Sequence, residues 1–320
     1  MTETPSALAY LATTSWADWQ PDAIAGDASA RRYWRLTSAT AETAILLDNG
    51  APHGAGIDRF VDLAQRLIRA GLAAPAIWRL SPDSRFAILE DLGPTTLAAH
   101  LAATPEDETA LYAAAGQLIA RIQSTDPPGD LVTLTPAIAA AMLDPLGDRL
   151  EDAAPPGTLA AARAAIEAGL SDHCPGPMRL SLRDFHAENL ILRPGNDGAD
   201  RFGLIDFQDA FLAPPEYDLA SLLRDARRDV SDDACAAAIT AFCAATGRGV
   251  EAATRAMSML AIQRNLRILG IFDRLIRVER KPRYARFVPR VIGHIRRDLT
   301  HPALEPLTPA IAPILTSFAE

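Results

Sequence analysis

Three polar residues in two short stretches offer this chain its chemistry. Asp184 lies in Leu180-Ser181-Leu182-Arg183-Asp184-Phe185-His186-Ala187-Glu188-Asn189, and Asn189 follows it by five positions. Asp206 comes about twenty residues later, in Gly203-Leu204-Ile205-Asp206-Phe207-Gln208-Asp209. Moving a phosphoryl group onto a hydroxyl needs one carboxylate that orients the attacking oxygen and takes its proton. It also needs oxygen ligands that hold magnesium against the phosphates of a nucleotide. The order and spacing give the first role to Asp184 and the second to Asn189 and Asp206. The alternative is an ordinary loop and strand that carry acids by chance; spacing, order and apolar framing together weigh against it.

Composition bounds what can hold these residues. A chain of 320 residues, 49% hydrophobic, can bury a sizeable core in one large domain or in two lobes around a cleft. A formal net charge of −9 argues against non-specific binding to nucleic acid or to an anionic membrane. Lys281 is the only lysine, so 30 of the 31 basic side chains are arginines. Cys174, Cys235 and Cys243 show neither a CxxC pair nor ligand spacing, so no disulfide or zinc framework is expected. No basic segment followed by an apolar run opens the sequence, and no stretch approaches 18 uninterrupted apolar residues. A soluble cytoplasmic enzyme is the expectation, with no nucleic acid or membrane partner; no protein partner is indicated.

The elements that must position the three residues change character along the chain. Residues 1 to about 20 read as a helix through Leu8, Leu11, Trp16 and Trp19, and Gly26 to Ala30 as a small-residue turn. Arg32 to Leu36, Thr43 to Asp48, Ala76 to Leu80 and Phe86 to Glu90 read as strands, and residues 57 to 70 as an amphipathic helix stopped by Gly71. After Glu90-Asp91-Leu92-Gly93 the sequence turns Ala-rich and helical. Helices are predicted over 107–123, 136–150, 157–170, 216–228, 231–246, 250–278 and 283–298, and a loosely packed Pro-rich tail from Pro302. The expected fold is α+β and protein-kinase-like. Residues 1–92 form a small β-rich, nucleotide-binding N-lobe, and residues 93–320 a larger, mainly helical C-lobe with the catalytic loop, metal and acceptor sites.

Together these residues resemble the aminoglycoside phosphotransferase and choline kinase-like family. The resemblance runs through most of the chain, over Gly26 to Tyr33, Leu89 to Gly93, the Asp184 loop and Ile205 to Ala210. Tyr217-Asp218-Leu219-Ala220-Ser221-Leu222-Leu223-Arg224-Asp225 and Gln263 to Phe272 point more narrowly to a branch that phosphorylates amino sugars of the bacterial cell wall. The resemblance implies Asp184 as base, Asn189 and Asp206 as Mg²⁺ ligands, ATP or GTP as donor, and Glu90, Asp91 and Leu92 as the hinge that reads the base. It implies a small amino sugar, N-acetylmuramate or N-acetylglucosamine, as acceptor at its anomeric hydroxyl. Asp218 is either a brace for the catalytic loop or the N-cap of a helix.

The departures from the family pattern matter as much. The strand Ala44 to Asp48 has no lysine for the α- and β-phosphates, and no GxGxxG loop precedes it. Positive charge is still needed there, and Arg31, Arg32 and Arg35 are the candidates. Alternation puts Arg31, Tyr33 and Arg35 on one face and Arg32 and Trp34 on the other, without saying which face meets the nucleotide. On the acceptor side the candidates are Asp209, Arg224, Asp225, Gln263 and Arg267. Arg224, Arg264 and Arg267 are the possible partners of an acceptor carboxylate. Arg183 either steadies the loop or holds the transferred group, and His186 reads first as a loop histidine bonded to backbone. A non-catalytic nucleotide or metabolite sensor of the same fold is the competing class, and an aminoglycoside- or choline-type kinase a third reading. Beyond Asp225, Asp229, Asp232 and Asp233, the second lobe shows neither a dense carboxylate cluster nor an aromatic cluster for a cationic acceptor.

Overall fold

The structure, a computed structural model, describes residues 4–24, 31–50 and 57–318. The chain begins with a short helix, α1 (Thr4–Leu11), which stops well before residue 20. Thr13 and Thr14 turn their hydroxyls back onto the carbonyls of Tyr10 and Leu11, each at 2.7 Å, and so compete with further helical pairing. A strand that the sequence analysis did not anticipate follows, β1 (Gln20–Ile24). It is exposed throughout and carries Pro21 and Asp22, the composition of a sheet edge, so it shows no alternation to read. The expected turn at Gly26 to Ala30 lies outside the described residues.

Next come β2 (Arg32–Thr37) and β3 (Thr43–Asp48), then the helix α2 (Ile57–Arg69). In α2, Ile57, Phe60, Leu63, Ala64 and Leu67 form one buried stripe, with Asp58 in the first turn and Arg66 and Arg69 in the last, as the helix dipole favours. β4 (Ile77–Leu80), β5 (Phe86–Glu90) and α3 (Leu97–Ala103) follow. The five strands form one antiparallel sheet in the order β1-β2-β3-β5-β4, with Trp34 opposite Leu46 and Leu46 opposite Ile88. Trp34, Leu36, Ala44, Leu46, Phe86 and Ile88 pack with Ala7 and Leu11 of α1. That packing fixes the faces: Arg31, Tyr33 and Arg35 share the side away from α1.

The helical part contains α4 (Glu108–Ile122), α5 (Pro136–Ala141), α6 (Gly147–Ala153) and α7 (Thr158–His173). α5 and α6 stand where one helix was expected over 136–150. Pro145 has no N–H to continue it, and a tight turn over Asp144–Leu146 divides the two. Four three-residue strands carry the motifs: β6 (Arg179–Ser181), β7 (Leu190–Leu192), β8 (Phe202–Leu204) and β9 (Phe211–Ala213). β6 pairs with β9, and β7 with β8, both antiparallel. Then come α8 (Tyr217–Leu223), which stops five residues short of the expected 228, α9 (Asp232–Thr246), α10 (Val250–Arg277) and α11 (Val288–Asp298). The tail is not loose. It forms α12 (Thr308–Ser317), buries Leu304, Leu307, Ile311, Ile314 and Leu315, and packs on α7.

By contact the chain divides into two compact units. The first holds residues 1–100, 125–128 and 188–209, so the five-stranded sheet and the β7–β8 hairpin belong together. The second holds residues 101–124, 129–187 and 210–320 and is mainly helical. A cut at 92/93 places the hairpin with the helices, whereas its contacts are with the sheet: Leu204 N donates to Ala73 O and Leu192 N to Thr95 O. Gly203 makes that close approach possible, because a Cβ there would lie 2.8 Å from Leu92 Cδ1.

In the second unit α4 and α9 approach closely at Gly116, where a Cβ would meet the Ala238 carbonyl oxygen at 2.3 Å. The obstacle is backbone and has little room to yield. Gly116→Ala is therefore expected to destabilise the protein by about 3 kcal/mol, read as a lower urea midpoint at unchanged slope. A midpoint equal to wild type would contradict this packing.

Candidate active site

The first unit carries Asn189 and Asp206, the two candidate metal ligands. Leu190 lies opposite Leu204 in the hairpin, so the residues flanking that pair leave the ladder side by side. Ile205 N donates to Asn189 O at 3.3 Å, and Asn189 Nδ2 lies 3.4 Å from Asp206 Oδ2. Asp206 has φ 59°, a left-handed backbone that is uncommon outside glycine and falls here on a functional position. Phe207 anchors the bend, fully buried and stacked on Phe60 at 5.0 Å. Gln208 Nε2 donates to Asp206 Oδ1 at 2.8 Å, orienting the carboxylate. An exposed carboxylate beside a carboxamide suits Mg²⁺, a hard cation that takes few protein oxygens and completes its shell with phosphates and water. Asp209 lies three residues on and is exposed.

The same unit places the three candidate cations differently. Arg31 is buried, with Nε on Asn49 Oδ1 at 2.9 Å. Burial raises the Tyr33 hydroxyl pKa; Arg31 opposes this and Asp206 reinforces it, so Tyr33 and Arg31 belong to the neighbourhood of Asp206. Arg32 is exposed. Arg35 is committed to the hinge: Nε and Nη2 take Asp91 at 2.6 and 3.1 Å, and Nη2 also donates to Gly93 O at 2.9 Å. Asp91 Oδ1 in turn accepts from Gly93 N. Glu90 Oε2 accepts from Ala76 N, and Leu92 is buried against Gly203. The side chains of Glu90 and Asp91 thus brace the segment expected as the hinge, leaving its backbone groups as the ones a base could meet.

The second unit carries Asp184, the candidate base. Asp218 sits inside the first turn of α8 and spends its carboxylate on the loop. It accepts from Ser181 Oγ (2.7 Å), Leu182 N (3.0 Å) and Arg183 N (3.1 Å). Of the two readings of Asp218, the brace is the one observed. The hydrogen bonds hold Arg183 at φ 71° and fix the residue after it, Asp184. Arg264 Nη2, on α10, lies 3.4 Å from Asp184 Oδ1. Burial alone would raise the Asp184 pKa, but Arg264, His186, Arg183 and Arg267 together pull it below the ordinary carboxylate range. Asp184 is therefore ionised at neutral pH. His186 is buried, and its Nε2 accepts from Arg227 Nη1 at 3.3 Å. Burial lowers its pKa to about 4, so the imidazole is neutral.

Asp218 is the group that titrates in a useful range. Burial raises its pKa to about 6 against the pull of its hydrogen bonds from Ser181, Leu182 and Arg183. The folded value exceeds the unfolded one, so protonation favours the fold. This contribution to stability is complete below about pH 4 and is lost as pH rises through 6. Activity should run the other way, since a protonated Asp218 cannot hold all three donors. We expect kcat to fall as pH drops through about 6, and that limb to vanish in Asp218→Asn while the residual rate stays flat. A limb that persists in the variant would exclude Asp218 as its source.

Several acceptor-side candidates prove structural. Arg224 is buried and grips Asp298 through Nε and Nη2 at 2.8–3.1 Å, with Nη1 on Leu223 O. It has no face left for a ligand. Asp225 is 2% exposed and holds the Arg227 N–H at 2.9 Å. Gln263 is fully buried, with Nε2 on Ala139 O at 2.8 Å, and so ties α10 to α5. Arg267 belongs to the surroundings of Asp184. Arg264 beside Asp184 in the second unit, and Gln208 and Tyr33 near Asp206 in the first, had not been selected for these contacts. Arg264 and Arg267 stand one turn apart on α10, a spacing that could have flagged them as a pair.

Asp184 on a braced loop, with Asn189 five residues on and Asp206 after the hairpin, is the order of side chains that phosphoryl transfer needs. The sequence profile of the phosphotransferase enzyme family matches residues 22–260, and the chain belongs to that family. It is 34% identical to the N-acetylmuramate/N-acetylglucosamine kinase of Caulobacter vibrioides, over 93% of each chain. Its fold is that of a choline/ethanolamine kinase family protein from Mesorhizobium loti, with a TM-score of 0.65, 16% identity and 99% of each chain covered. It is likewise similar to the ADP-bound aminoglycoside phosphotransferase APH(2'')-Ib, with a TM-score of 0.62, 15% identity, and 92% of this chain and 97% of that one covered. Among the described residues, no helix is long and apolar enough to cross a membrane.

Proposed function

We propose that the chain transfers the γ-phosphoryl group of ATP or GTP, with Mg²⁺, to the anomeric hydroxyl of N-acetylmuramate or N-acetylglucosamine. The observation that carries the reading is Asp184. It is held ionised beside Arg264, on a loop fixed by Asp218 that leads directly into the Asn189–Asp206 pair. The amino-sugar acceptor follows the named Caulobacter relative. Bound Mg²⁺ would draw charge from the phosphates, with Asn189 and Asp206 as its protein ligands. The remaining work falls to side chains and backbone. Asp184 orients the acceptor hydroxyl and takes its proton late, and Arg31, beside Tyr33, supplies charge that the absent strand lysine does not. The hinge at Glu90 to Leu92 presents backbone groups to the base.

The anomeric position suits so weak a base, because the hemiacetal hydroxyl is the most acidic on a sugar. The acceptor side is also wrong for a polycation. Arg183, Arg264 and Arg267 gather at Asp184, where an aminoglycoside would need acids. Phosphorus NMR of the product, run with each donor in turn, tests the reading. A doublet coupled to the anomeric proton is expected. Phosphate on any other oxygen would rule out the anomeric assignment.

A further inference from the structure

Three guanidiniums gather near the base, and the carboxylates there are already committed. Asp184 faces Arg264 at 3.4 Å, and Asp218 is taken by Ser181, Leu182 and Arg183 N–H. Asp225 serves Arg227. His186 and Tyr217 bring no negative charge, the first because burial lowers its pKa to about 4 and the second because burial raises its hydroxyl pKa. Arg267 is half-buried and, among the described residues, makes no hydrogen bond or ion pair. Burial, Arg183 and Arg264 act against its charge and outweigh the support of Tyr217 and Asp184, so its pKa is lowered. A partly desolvated guanidinium without a carboxylate of its own is costly unless a ligand supplies one.

Position says which ligand group that is. Arg267 follows Arg264 by three residues on α10, about 4.5 Å along the axis, and Arg264 marks the base. That step is comparable with the width of a sugar ring. An acceptor whose C1 hydroxyl lies at Asp184 therefore brings a substituent on C3, two ring carbons away, towards Arg267. N-acetylmuramate carries a lactyl carboxylate on its C3 oxygen, and N-acetylglucosamine carries only a hydroxyl there. We infer that Arg267 is the specificity-determining residue for acidic acceptors and binds the lactyl carboxylate of N-acetylmuramate. This rests on the amino-sugar reading above. Of the three arginines the sequence offers for this role, Arg224 is spent on Asp298 and Arg264 on Asp184.

Steady-state kinetics with both sugars test the inference. Arg267→Gln is expected to raise KM for N-acetylmuramate by about 10- to 100-fold, the loss of a charge-assisted pair. The loss with N-acetylglucosamine should be at least about tenfold smaller than with N-acetylmuramate, since Arg267 also acts on Asp184 whichever sugar is bound, and Arg267→Lys should recover part of the loss. Wild-type enzyme with the lactyl amide of N-acetylmuramate should match Arg267→Gln acting on the acid, a comparison that needs no variant to fold. Equal losses with both sugars, or an amide used as well as the acid, would overturn the inference while leaving the amino-sugar reading in place. If wild-type enzyme used neither sugar, both would fall.

Discussion

Asp184→Asn is expected to lower kcat by about a thousandfold while KM for both substrates changes little. The substitution is nearly isosteric, and its carboxamide oxygen can still face Arg264, so the loop and its Asp218 brace should persist. What disappears is the proton acceptor. The pKa of Asp184 makes the test clean: held below the ordinary range, it contributes no titration near neutrality. The loss should therefore be the same across the pH range in which the wild type is active. Retention of more than about a tenth of the wild-type kcat would remove Asp184 from the role of base.

Asp206→Asn should cost about as much, by a different route. Asp206 has φ 59°, a conformation that asparagine accepts far better than alanine, so Asn is the substitution that leaves the bend intact. The Gln208 contact has an acceptor in either side chain. The formal charge facing the metal is lost, and metal-centred stabilisation amounts to several kcal/mol at the transition state. A drop in kcat of about a thousandfold is expected, together with loss of the Mg²⁺-dependent rise in Tm on adding nucleotide. That second readout does not depend on turnover. A variant that keeps the Mg²⁺-dependent Tm shift would show that Asp206 is not a metal ligand.

Much of this was readable in the sequence because the decisive relations are local. Asp184 and Asn189 share one loop, and Asp206 follows a hairpin of three-residue strands, so spacing alone brings Asn189 and Asp206 side by side. The strands β2 and β3 and the helix α2 declare themselves by period. Position along the chain failed where partners come from afar. Arg35 reaches Asp91 across 56 residues and Arg224 reaches Asp298 across 74, so an apparent phosphate ligand became a hinge brace and an apparent substrate ligand a core pair. α8 is buried from Tyr217 to Leu223, leaving no polar face from which inward and outward side chains could be told apart. The Pro-rich tail misled for another reason: Pro309 stands in the first turn of α12, where proline is tolerated, and its apolar residues have α7 to cover them.

Magnesium-dependent release of ADP or GDP, measured with N-acetylmuramate, N-acetylglucosamine, choline and kanamycin and with Asp184→Asn as control, tests the central claim most directly. Release with the two amino sugars, not with choline or kanamycin, and lost in the variant, is the predicted result. Release with choline or kanamycin alone would contradict the amino-sugar assignment, and silence with every acceptor, alongside no detectable nucleotide binding, would contradict catalysis itself.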